Sequence, residues 1–183
     1  MFTTHQLEQW SAALHNSQVT AAPAEGVYGY CANPFNSAAL ASLIALKKRN
    51  SAKGFIVLVA EVSWLQRLCP PLPQPCRQAI QKYWQPGQPP TTLILPALPT
   101  LPENLTGAFP TLAVRLPQVE YMQQYLRAFG GPLVSTSLNE SGQPPATRIG
   151  QIPPGIPALT LEQPLPGTPS RIYNPLTTEW LRR

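Results

Sequence analysis

Residues 38–60 read AALASLIALKKRNSAKGFIVLVA, and this stretch contains a helix, a strand and the densest charge in the chain. Over 38–48, Leu40, Leu43, Ile44 and the stem of Lys47 recur at three- and four-residue spacing, which predicts a helix. From Gly54 to Ala60 that spacing vanishes. Phe55 to Ala60 is the longest unbroken apolar run in the chain. A strand apolar on both sides belongs to a sheet covered on both faces. A helix feeding such a strand through a short polar link points to an α/β or α+β domain.

Working outward, similar patterns recur. Leu7, Trp10 and Leu14 share one face of a helix over Gln6–His15, with Thr3 and Gln6 at capping-box spacing. A strand is expected near Val19–Ala22, and short helices near Trp64–Leu68 and at Arg77–Trp84. Thr91–Leu95, Leu112–Leu116 and Leu133–Ser135 read as strands. Val119, Met122, Leu126 and Phe129 mark a helix that stops at Gly130. The tail Arg171–Arg182 has the form of a hairpin turning at Asn174-Pro175. The chain has twenty-four prolines, eighteen of them in Pro70–Pro75, Pro86–Pro102 and Pro144–Pro169. Such runs cannot be helix interior or central strand and read as loops. With no internal repeat, residues 1–183 are expected to form one domain.

Composition excludes several chemistries. There is no aspartate, and the eight glutamates are scattered. A carboxylate pair or an all-protein cage for magnesium or calcium is therefore hard to build. Three cysteines without a C-x-x-C pair, and two histidines near the N-terminus, argue against a disulfide framework and a zinc site. No metal site is expected. There is no P-loop, no G-x-G-x-x-G and no G-x-S-x-G. No apolar run approaches the roughly 20 residues of a membrane span, and the N-terminus has no basic start before an apolar run, so a cytoplasmic protein is expected. The net charge of +5 suits either a mildly basic surface or an anionic partner, such as a nucleotide or RNA.

Four segments could carry chemistry. Lys47-Lys48-Arg49 with Lys53 holds three of the four lysines at the end of a helix. They either complement the helix dipole or grip phosphate. Ser135 to Gly142 crowds hydroxyls and an amide at a strand end, as a capped turn or a ligand loop. Around Glu25, Gly26 and Gly29 suggest tight backbone turns. Arg115 sits in an otherwise apolar strand and needs an anionic partner, either a structural carboxylate or a ligand.

Taken in order, these segments resemble the YrdC/TsaC family of threonylcarbamoyl-AMP synthases, in its short bacterial form. The matching stretches are Pro23–Gly29, Leu46–Arg49 with Lys53-Gly54, Trp84 with Pro86-Gly87, Leu112–Arg115, Pro132–Asn139 with Ser141-Gly142, and the tail from Pro169 to Arg182. The K-x-R followed 90 residues later by S-x-N is specific as a set. The resemblance implies an open twisted mixed sheet flanked by helices around a basic concave cavity. It implies formation of threonylcarbamoyl-AMP and pyrophosphate from L-threonine, bicarbonate and ATP, for modification of tRNA next to the anticodon. ATP is then a substrate, with Mg2+ carried mainly by its phosphates. Lys47 and Arg49 would be catalytic and bind ATP with Lys53, Ser137, Asn139 and Arg182. Arg115, Ser135 and Ser170 would bind threonine, and Glu25 would line the site. Expected partners are the downstream threonylcarbamoyl-transfer proteins, with weak tRNA binding and no membrane. A non-catalytic RNA-binding module on the same fold is the competing reading. A carbamoyl-transfer enzyme carrying this fold as one of several domains is a third. Three positions depart from the family pattern: Ala24 replaces a threonine, Asn50 replaces a proline, and the loop Trp84–Thr91 is longer.

Overall fold

A computed structural model describes all 183 residues. Eight strands form one mixed sheet in the order β1-β2-β6-β3-β5-β4-β7-β8. Their ranges are β1 Thr20–Pro23, β2 Tyr28–Ala32, β3 Ile56–Leu58, β4 Thr91–Pro96, β5 Thr111–Arg115, β6 Leu133–Ser137, β7 Arg171–Asn174 and β8 Glu179–Arg182. Only β3/β5 and β4/β7 are parallel. The helices are α1 Thr4–His15, α2 Ser37–Lys47, α3 Gln74–Tyr83, α4 Glu103–Thr106 and α5 Glu120–Phe129.

Local signals hold at several ends. Thr3 and Gln6 form the expected capping box on α1. Gly130 closes α5 in the left-handed conformation, which costs glycine little. The terminal hairpin forms as expected. Among the strands and α-helices, two were not anticipated. Residues 28–32 form β2, a fully buried strand, where glycines had suggested turns. The single turn α4 follows Pro102, too short to show a period.

Two apolar layers cover the sheet. On one face Val57, Val114, Val134, Tyr28 and Tyr30 pack with α2, α3 and the 3-10 turn Val62–Arg67. On the other, Leu58, Leu133 and Cys31 pack beneath Trp10 and Leu14 of α1 and Met122, Tyr125 and Leu126 of α5. Trp10 Nε1 donates to Ala21 O at 3.0 Å, and Tyr125 Oη to Pro23 O at 3.2 Å, which ties both helices to β1. This second cover is partial, and its edge defines the site.

Candidate active site

Successive side chains on a strand alternate between faces. Leu133, Ser135 and Ser137 therefore share one face of β6, Leu58 and Ile56 one face of β3, and Arg115 and Ala113 one face of β5. The register aligns them: Leu58 lies opposite both Leu133 and Arg115, and Ile56 opposite both Ser135 and Ala113. α1 and α5 cover Leu58 and Leu133. One pleat further along, the same face is uncovered. There a cavity of 290 Å³ is lined by Ile56, Ala113, Ser135, Ser137, Ser170 and three arginines, Arg49, Arg115 and Arg182. The switch from leucine to serine along β6 marks the edge of the helical cover. The cavity thus lies over strand interiors, not at the carboxyl ends of parallel strands. A larger groove of 790 Å³ runs past Leu65, Ile80 and Trp84, but its walls are mainly apolar with one charge, Arg77. The chemistry points to the smaller cavity.

The charges there do not balance. Glu25 Oε2 lies 2.7 Å from Arg115 Nη1, both side chains being nearly buried. The contact is an ion pair without the alignment of a hydrogen bond. The anionic partner that Arg115 required is thus a structural carboxylate, and Glu25 has a definite place. Arg115 Nε remains buried without a partner, as does Arg49 Nε. Arg49 lies over the Phe55 ring, 4.9 Å from its centroid, and its Nη2 donates to Gly54 O at 2.5 Å. Arg182 donates from Nε to Ser170 O at 2.7 Å and from Nη2 to Ser170 Oγ at 3.3 Å. Neither Arg49 nor Arg182 has a carboxylate partner. Burial lowers the pKa of both, and Arg115 adds to the effect at Arg182. Two unmatched guanidinium charges in a hydroxyl-lined cavity favour a bound anion.

The basic cluster divides. Lys47, which the resemblance makes an ATP ligand, is 3% exposed and does not line the cavity. Its ammonium donates to Ser137 O at 2.5 Å, Asn139 O at 2.9 Å and Asn139 Oδ1 at 2.8 Å. Burial, then the neighbouring Arg49, pushes its pKa down to about 8. Asn139 is a hub rather than a wall: Ser137 Oγ also donates to its Oδ1, and its Nδ2 donates to Gln143 O. Lys48 pairs with Glu140 in solvent. Lys53 is exposed and outside the cavity, its backbone bridging to Gly107.

Sequence reasoning missed other parts. Ser170 Oγ shares a hydrogen bond of 2.9 Å with buried Thr92 Oγ1, which fixes one wall. Thr136 also lines the cavity. Gly26 permits a close crossing: a Cβ there would stand 1.7 Å from Thr168 O, and Gly167 N donates to Gly26 O at 2.7 Å. The segment between β6 and β7 therefore closes one side of the site. The glycine was visible in the sequence, but its partner, more than 140 residues away, was not.

This architecture and this order of segments have known counterparts. The Sua5/YciO/YrdC family profile, described as telomere recombination, matches residues 12–166. The chain belongs to the Sua5/YciO/YrdC family. Within that family it is 38% identical over 172 residues to a threonylcarbamoyl-AMP synthase of Alkalilimnicola ehrlichii, covering 93% of this chain and 88% of the relative. It is 37% identical over 177 residues to the protein of that name from Sodalis glossinidius, covering 93% and 92%. Its fold matches P. abyssi Sua5 complexed with L-threonine, with a TM-score of 0.82 at 23% identity. That match covers 95% of this chain but 52% of Sua5, so this member of the Sua5/YciO/YrdC family spans about half of the longer one.

Proposed function

We propose that this chain is an L-threonylcarbamoyladenylate synthase, a nucleotidyltransferase acting in the cytoplasm on the route to threonylcarbamoyladenosine in tRNA. The observation that carries the reading is the cavity with two unmatched guanidinium charges around small hydroxyls. Relatives named for this activity align over more than nine-tenths of the chain, and P. abyssi Sua5, of like fold, was crystallised with L-threonine.

The chemistry asks little of the protein's own nucleophiles. Threonine's neutral amine attacks the carbon of bicarbonate or carbon dioxide, giving a carbamate, with water lost when bicarbonate is the source and a proton released to solvent when carbon dioxide is. A carbamate oxygen then attacks the α-phosphorus of ATP, and the bond to the β-phosphate oxygen breaks, releasing pyrophosphate. Catalysis reduces to positioning and to neutralising charge. Arg49 and Arg182 would hold phosphate oxygens. Arg115, one edge on Glu25, would offer the other to the threonine carboxylate. Ser135 and Ser170 would meet the amino acid's polar groups, and Ser137 the nucleotide side. Lys47 and Asn139 would act by holding the Ser137–Gln143 loop in place, and Lys53 only through its long-range field. No group of three metal-ligating side chains exists, and Glu25 is committed to Arg115. Magnesium would therefore enter on the ATP phosphates. The product would pass to the proteins that transfer the threonylcarbamoyl group to tRNA, and direct tRNA binding would be weak.

The deciding experiment measures pyrophosphate release by purified protein with magnesium, omitting ATP, threonine and bicarbonate in turn. Release is expected only with all three. Orthophosphate as product, or turnover without threonine, overturns the reading.

A further inference from the structure

Arg182 comes from the last strand of the chain, and that strand is poorly anchored. β8 is an edge strand bonded only to β7, which meets β4 at three positions, Thr91 to Leu93. A two-stranded hairpin is marginal by itself. The pairing of the two strands is also irregular. Trp180 lies opposite Tyr173 and Arg182 opposite Ile172, so Leu181 is an extra residue without a partner, a β-bulge. Tyr173 and Ile172 are neighbours on one strand and face opposite sides of the sheet. Their partners must do the same. Trp180 sits on the side of α3, its ring 4.9 Å from Tyr173 and 5.5 Å from Tyr83, with Arg171 4.9 Å over its face. Arg182 and Ile172 emerge on the cavity side. In an unbulged ladder Leu181 would oppose Ile172 and Arg182 would turn away from the cavity. Trp180 is the only residue of β8 that is not exposed.

We propose that Trp180 is a positioning residue: clasped by Tyr83, Tyr173 and Arg171 on the far face, it locks the bulged register that aims Arg182 into the cavity. The consequence for ATP rests on the function proposed above, but the position of Arg182 does not. The site would then be completed by a terminal hairpin whose anchor lies on the opposite side of the sheet. Loss of the indole would let β8 slip or fray and release Arg182 from Ser170, while the core beneath α1, α2 and α5 stays packed.

The test compares wild type, Trp180→Ala, Trp180→Phe, Arg182→Ala and the double variant Trp180→Ala/Arg182→Ala. Nitrogen-resolved NMR reads the Arg182 Nε–H, assigned by its absence in Arg182→Ala, and calorimetry reads ATP affinity. Wild type should show a slowly exchanging Nε–H, as its hydrogen bond to Ser170 O requires. Trp180→Ala should lose that protection, Trp180→Phe should keep it, and Trp180→Ala should weaken ATP binding roughly tenfold, the lower bound for a lost charge-assisted contact. The double variant should bind no worse than Arg182→Ala alone. An Nε–H still protected in Trp180→Ala, or an indole loss that weakens ATP equally with and without Arg182, overturns the proposal. If wild type binds no ATP while the Nε–H behaves as stated, the proposed reaction falls and the positioning role is supported.

Discussion

Lys47 Nζ stands 2.8 Å from Asn139 Oδ1, joining the last turn of α2 to the loop after β6 across 92 positions of sequence. Two polar residues of the family's K-x-R and S-x-N patterns thus bind each other, and with Ser137 O and Asn139 O the ammonium has a full set of acceptors.

Lys47→Ala is therefore expected to destabilise the fold. Asn139 O is left without a donor, while Ser137 O and Asn139 Oδ1 lose a charged donor but keep Asn139 N and Ser137 Oγ, at a total cost of about 3 kcal/mol. Thermal melting should fall by roughly 6 to 12 °C for a chain of this size. ATP affinity, measured by calorimetry below the melting range, should fall as the Ser137–Gln143 loop loosens. An unchanged melting temperature would mean that the lysine stands free in solution.

Burial of the same ammonium, and then Arg49 beside it, sets a pH dependence. The folded-state pKa of Lys47 is about 8 against an ordinary 10.5. Below pH 8 both folded and unfolded chains carry the proton, so the penalty of burying the charge is present in full. Between about 8 and 10.5 the unfolded chain binds more protons than the folded one, and Lys47 contributes a rising stability. Denaturant melts of wild type and Lys47→Met across pH 7.5 to 10.5 should show this upward contribution in wild type only.

Glu25→Ala strips Arg115 of its only carboxylate. Breaking a buried ion pair costs about 3 to 5 kcal/mol because the remaining charge stays buried and unpaired. With Glu25 gone, a threonine carboxylate on the free edge becomes the sole anion on Arg115, so added L-threonine should raise the melting temperature of Glu25→Ala more than that of wild type. Equal shifts in both proteins would place the ligand's carboxylate elsewhere.

Ala24 lines the cavity beside that ion pair, and its carbonyl accepts from Tyr121 Oη at 3.0 Å. Ala24→Thr adds a hydroxyl without disturbing that backbone bond. Threonine affinity should improve by about 1 kcal/mol, near fivefold, with ATP affinity unchanged. A weaker KM for threonine would show that the methyl group crowds the amino acid instead.

Much of this protein is written locally. The capping box of α1, the glycine stop of α5, the helix over residues 38–47 and the terminal hairpin all rest on backbone geometry and hydrogen bonds within a few residues, so the sequence alone determined them. The absence of aspartate and of any nucleophile motif also narrows the chemistry. Other facts had no local cause. Tyr28 to Ala32 became a strand because β1 and β6 flank it. Lys47 was buried by a loop 90 residues away. Glu25 met Arg115, and Trp180 met Tyr83, through strand order and register that no short window contains. Which cations stay unmatched, and so which residues can hold an anion, was decided only in the tertiary structure. Coulombic pairing and burial depend on distance in space, and only the folded sheet sets those distances.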